Sequence, residues 1–109
     1  MLHLALRYER GIGVQQSYEE AYRYYKYVIE HPQPGEETAK PALLALSRYH
    51  KEGLGGARQS NELAAKYYAF SQSNPESADE MQGLEKWWNA KGKDLLMKTA
   101  EAELHEQND

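Results

Sequence analysis

The sequence predicts an all-α fold: an α-solenoid fragment of two antiparallel helix pairs plus a C-terminal capping helix or helix pair. Three observations carry that expectation. The first is composition. Among 109 residues, Val and Ile number four together and Thr two, too few β-branched side chains for a sandwich or barrel. Ala (13) and Leu (12) lead instead, and both are helix formers. The second is apolar periodicity at helical spacing in five segments. The third is internal similarity: two helix–loop–helix stretches match each other at an offset of 42–43 residues, the mark of a repeat array. Nine Tyr and two Trp supply the burial that the few aliphatic residues do not.

The first segment places Leu4, Ala5, Tyr8 and Gly11 on one face and ends in Gly11-Ile12-Gly13-Val14, a breaker cluster suited to a tight turn. The second opens on Ser17-Tyr18-Glu19-Glu20, a capping-box pattern in which Glu20 is expected to reach back to the Ser17 cap. Its stripe is Tyr18, Ala21, Tyr22, Tyr25, Val28 and Ile29, and His31-Pro32-Gln33-Pro34-Gly35 stops it. The third runs from about Thr38 to Glu52, with Ala42, Ala45, Leu46, Tyr49 and Gly53 along one side, and closes on Gly53-Leu54-Gly55-Gly56.

The fourth, roughly Ser60 to Gln72, carries Leu63, Ala64, Tyr67, Tyr68 and Ser71. After the break at Ser73-Asn74-Pro75, Ser77 and Glu80 offer a second capping box. The last stretch, Ala78 to about Glu106, spaces Met81, Leu84, Trp88, Leu95, Leu96 and Leu104 helically, with Gly92 a candidate point of division. The chain thus reads as a single domain, 1–109, with one repeat over about 2–31, a second over about 38–73 and a helical cap over about 77–107. Tyr8, Ala21, Tyr25, Leu46, Ala64 and Tyr68 are the expected core of the stack.

Charge and chemistry exclude several function classes. Residues 1–58 carry a net charge of +1 and residues 59–109 one of −5, so neither half offers the basic stripe of a nucleic-acid binder. Cysteine is absent, which removes disulfides, thiolate zinc sites and Cys nucleophiles. No apolar run approaches the roughly 18 residues of a membrane span, and Met1 to Arg7 is too short and polar for a signal peptide. Membrane insertion is not expected, and cytoplasm and periplasm both remain open.

Gly11-Ile12-Gly13-Val14 follows a helix, whereas a dinucleotide loop follows a strand, so it reads as a structural turn. His3, His31, His50 and His105 are the only soft metal donors, and no pair stands at i, i+4. His50 occupies a tyrosine slot of the repeat and is expected to pack, not to ligate. Glu19/Glu20, Glu36/Glu37 and Asp79/Glu80 lie where acids complement helix starts, and Ser17, Ser60 and Ser77 read as caps. No catalytic constellation, metal site or cofactor site is expected, and the chain is not expected to be an enzyme.

The two repeats align residue by residue. Leu4-Ala5, Tyr8 and Gly11-Ile12-Gly13-Val14 match Leu46-Ser47, His50 and Gly53-Leu54-Gly55-Gly56 at an offset of 42; Ala21 and Tyr24-Tyr25 match Ala64 and Tyr67-Tyr68 at 43. These residues resemble the Sel1-like repeat family, relatives of the tetratricopeptide repeats, whose unit reads roughly Leu-Gly-x-x-Tyr-x-x-Gly-x-Gly-Val and then Ala-x-x-Trp/Tyr-Tyr. The likeness spans about residues 2–72. It departs from the pattern at Ala5 and Ser17, and further at Ser47, His50 and Gly56.

The resemblance implies a non-enzymatic protein-interaction module: an adaptor or a specific, inhibitor-like binder using a helical-repeat groove for a protein or peptide partner. The alternative is a structural or regulatory helical-repeat segment of a larger enzyme or envelope assembly. By analogy with tetratricopeptide repeats, the first helix of each pair lines the groove, placing Leu2, Leu6, Glu9, Arg10, Leu44, Arg48, Lys51 and Glu52 outward. Trp87 and Trp88 are adjacent and so point about 100° apart on a helix. Both are candidate protein-binding residues; one is expected in the cap and the other at the surface, as an aromatic anchor for a partner. The uncapped N-terminal edge is open to self-association.

Overall fold

The computed structural model describes residues 1–32 and 39–97. All regular structure among them is helical: α1 (Leu2–Arg10), α2 (Tyr18–Glu30), α3 (Ala39–Glu52), a 3-10 turn (Leu54–Gly56), α4 (Asn61–Ser73), α5 (Ala78–Trp87) and a π-turn (Trp88–Gly92). Residues 93–97 continue as helix. Glu36, Glu37, Thr38, Leu104 and His105 lie outside the described residues. No helix among the described residues is long and apolar enough to cross a membrane.

Local chemistry explains where each helix starts and stops. Ser17, Ser60 and Ser77 each sit in extended backbone and accept an N–H three residues on, at 3.2, 3.2 and 3.1 Å, which satisfies one orphan donor of the first turn. The reciprocal half of the box is not made. Glu20 pairs with Arg23, because the Ser17 N–H already donates to the Tyr8 carbonyl at 2.9 Å. Glu80 accepts from the Glu76 N–H, not from that of Ser77. Helix α1 ends on Gly11 at φ 70°, whose N–H and that of Ile12 both return to the Arg7 carbonyl, a left-handed stop that favours glycine.

Helix α1 packs chiefly on α2, and α3 on α4, while α2 joins the two pairs through α3 and the 54–56 turn. Small residues let the partners approach: Ala5, Ala21, Ala42 and Ala64 are buried, and the Ser47 hydroxyl donates to the Ala64 carbonyl at 2.7 Å. The two pairs repeat each other's hydrogen bonds. Ser17 N–H to the Tyr8 carbonyl becomes Ser60 N–H to His50 at 2.8 Å. Gln16 Nε2 to the Glu9 carbonyl becomes Gln59 Nε2 to Lys51 at 3.3 Å. Donors correspond at an offset of 43 and acceptors at 42, so the extra residue lies in the turn between them.

Between the pairs stands Tyr49, fully buried and ringed by Tyr18, Tyr22 and Tyr25 at centroid distances of 6.0, 6.2 and 5.7 Å. Phe70 and Leu43 are also fully buried; neither was on the expected stripes. Tyr25 is 2% exposed, but Tyr68, expected to be its buried counterpart, is 54% exposed. The reason is geometric. Tyr25 has α3 beside it, whereas the last helical segment meets α4 on the face opposite Tyr68, two residues either side of it, where Phe70 meets Trp88 edge-on at 6.3 Å and Lys66 pairs with Glu85. Tyr8 is half-buried, stacked on Tyr24 at 5.5 Å.

Gly92 does not divide the last helix. It lies in the π-turn with the Trp87 ring against it, so close that an added methyl would stand 2.6 Å from that ring. Trp88, one and two turns on from Leu84 and Met81, lies in the core at 3% exposure, and Trp87 is left at the surface at 37%.

Candidate functional site

A cleft of about 580 Å³ opens where the C-terminal ends of α1 and α3 meet the N-terminal end of α2. Glu9 and Arg10 enter it from α1, Arg48 and Glu52 from α3, Gln16 and Tyr18 from the turn and start of α2, and Leu54 from the 3-10 turn. Four of the expected groove residues, Glu9, Arg10, Arg48 and Glu52, therefore share one concavity.

Its chemistry centres on Glu9. A carboxylate in the last turn of α1 faces the negative end of the helix dipole, and three donors from other helices offset that. Tyr25 O–H donates to Oε2 at 3.2 Å, Tyr49 O–H to Oε1 at 3.0 Å, and Arg48 forms an ion pair with Oε1. The Glu9 side chain is only 14% exposed. It was expected outward in the groove; the phenols draw it inward, so it forms part of the floor. Burial first, then the Glu9 charge, pushes the Tyr25 hydroxyl up to about 12. Burial, then the Glu9 hydrogen bond, raises Tyr49 further. Both phenols stay protonated and remain donors. Arg48 is held over the Tyr49 ring, its guanidinium carbon 5.5 Å from the centroid.

Arg10, Glu52 and Lys51 are exposed. Arg10 and Glu52 take part in no ion pair among the described residues, leaving one charge of each sign at the rim. Lys51 is beside the cleft, not in it. Of the expected apolar groove residues, Leu44 is exposed, but Leu2 and Leu6 are half-buried and Leu2 packs against the core. These three leucines do not enter the cleft. Trp88, expected among the binding residues, is buried against Phe70 and offers no surface. Trp87, the last residue of α5, does not line the cleft.

A second buried polar set lies on the other side of Tyr49. His50 Nδ1 is 2.9 Å from the Arg58 carbonyl, which can only accept, so Nδ1 carries the proton and Nε2 accepts from Tyr22 O–H at 3.1 Å. The ring stacks on Tyr67 at 5.4 Å. With both nitrogens engaged, His50 is a packing residue. Among the described residues no group of three or more His, Asp and Glu is placed to hold a metal ion. Two further concavities are less equipped. One of about 510 Å³ at the α4–α5 bend has only Glu76 and Glu80 as charged walls, and one of about 320 Å³ lies between α2, α4 and α5.

Comparison with protein-family models, with curated proteins and with solved structures finds no match for this chain.

Proposed function

We propose that the chain is a protein-binding module of the Sel1-like, solenoid-forming kind, without catalytic activity, that takes a peptide or helix of a partner protein in the cleft between α1 and α3. The observation that carries this reading is the combination of a fixed floor and unsatisfied rim. Glu9 is held in place by two buried phenols and in turn holds Arg48, while Arg10 and Glu52 line the same cleft with no ion pair among the described residues. Pre-ordered charges lose little side-chain entropy on binding. Charges of both signs, with Tyr18 and Leu54 as apolar walls, suit a peptide backbone with mixed side chains. A polyphosphate would be repelled by Glu9 and Glu52.

Selection of ligands from a random displayed-peptide library on immobilised protein tests the reading, followed by affinity measurement against Arg10→Glu and Glu52→Lys. Each reversal should weaken the selected peptide about tenfold or more, the scale of about 1.4 kcal/mol for one rim charge in a specific contact, with unchanged helicity. Peptides that bind both variants as tightly as the natural chain would place recognition outside this cleft.

A further inference from the structure

The contact between the two helix pairs has two halves, and each half has a second, uncovered copy elsewhere on the molecule. In the internal contact, the turn after α3 sits on the first residue of α2: a methyl on Gly55 would stand 2.3 Å from the Tyr18 carbonyl oxygen. Beside it, Tyr49 of α3 packs among Tyr18, Tyr22 and Tyr25.

The turn after α1 has the same backbone form, with Gly11 and Gly13 at φ 70° and 74° against 71° and 61° for Gly53 and Gly55. Yet nothing approaches Gly13 within 4 Å of where a methyl would be. Arg7, which corresponds to Tyr49, is exposed next to it. At the other end of the molecule, Asn61, Ala65 and Tyr68 of α4 correspond to Tyr18, Tyr22 and Tyr25. Asn61 and Tyr68 are exposed and Ala65 half-exposed, because the contacts of Lys66 and Phe70 cover the face of α4 opposite Tyr68.

We propose that these two faces fit each other, so that a second copy of this chain docks head-to-tail. Its Gly11–Val14 turn seats on the Asn61 end of α4, and its Arg7 lies over the Tyr68 ring. The replacement of Tyr49 by Arg7 suits the pairing, since a guanidinium stacks favourably on an exposed phenol face. Glu62, beside the seat and paired with Lys93 at 3.0 Å, places a carboxylate of the complementary sign near the arriving guanidinium. Because the two faces differ, the contact is heterologous and does not close on itself at two copies; it propagates with concentration.

Sedimentation velocity on the full chain over a concentration series up to about 1 mM, the range of weak association, tests this with Arg7→Glu and Tyr68→Ala. Both substitutions are at exposed positions, and circular dichroism checks that each variant folds. The natural chain should form species larger than a dimer as concentration rises. Each variant alone should stay monomeric, since each lacks one face. An equimolar mixture of the two should form a one-to-one dimer and stop there, because only one intact pair of faces remains. A natural chain that stays monomeric throughout, variants that assemble as it does, or a mixture that stays monomeric would each overturn the proposal.

Discussion

The Tyr49 hydroxyl on α3 donates to the Glu9 carboxylate on α1 at 3.0 Å, across 40 residues of sequence. It ties the two helix pairs together at the floor of the cleft. A hydrogen bond to a charged group is worth about 1.5–3 kcal/mol, and here the carboxylate has been taken out of water. A double-mutant cycle of Glu9→Gln and Tyr49→Phe, followed by denaturant unfolding, should therefore give a coupling of about 1.5 kcal/mol. A coupling near zero would mean that the two side chains are held by their surroundings and not by each other.

Gly55 and Gly13 form a matched comparison, since both have positive φ. Gly13→Ala should cost only the left-handed backbone strain, about 1–2 kcal/mol. Gly55→Ala adds a collision with the Tyr18 backbone and should cost on the order of 2 kcal/mol more, the scale of overpacking. Urea unfolding at low protein concentration measures both. Equal losses would show that the 54–56 turn does not lock onto α2.

Tyr25 and Tyr68 occupy matching repeat positions and should respond oppositely. Tyr25→Ala should lose about 3–5 kcal/mol, a large part of a total of about 5–15 kcal/mol. Tyr68→Ala should shift stability by no more than about 0.5 kcal/mol, as exposed substitutions do. A fall in melting temperature as large for Tyr68→Ala as for Tyr25→Ala would contradict the exposed placement of Tyr68.

Alkali should unfold the protein through its buried phenols. Tyr25 and Tyr67 are pushed from 10.0 to about 12 by burial first, and Tyr22 and Tyr49 are raised for the same leading reason. Raised folded values mean that the native state holds these protons more tightly than the unfolded chain. Their contribution is complete below about pH 10 and is lost as pH climbs towards 12. Unfolding free energy should fall steadily across that window, and phenolate absorbance from these tyrosines should appear together with loss of helicity. Stability independent of pH between 10 and 12 would contradict the burial of Tyr25 and Tyr49 and the partial burial of Tyr22 and Tyr67.

What could be read from the sequence, and what could not, follows from the range of the interactions. Ser17, Ser60 and Ser77 cap helices, and Gly11 and Gly53 stop them, because those effects operate within a few residues. Ala5, Ala21 and Ala64 mark close helix approaches for the same reason. Glu9 was misread as an outward groove residue because its position depends on Tyr25 and Tyr49, phenols that only the fold brings near. Tyr68 was misread because the repeat pattern implies a neighbour that α5, packed on another face, does not supply. Trp88 points inward because it continues the Met81 and Leu84 face of α5 at helical spacing, which leaves Trp87 as the surface member of the pair. Of the groove positions, the charged residues near the ends of α1 and α3 reached the cleft or its edge. The leucines did not, since helix phase alone does not separate a half-buried flank from an open groove.

The most direct test of the account maps amide chemical-shift changes when a library-selected peptide is titrated into isotopically labelled protein. The account predicts the largest changes at Glu9, Arg10, Gln16, Tyr18, Arg48 and Glu52, the residues that form the cleft. It also predicts little change around Trp87 and Leu95. Shifts confined to the Trp87 end, with the Glu9–Arg48 region silent, would contradict the assignment of peptide binding to this cleft.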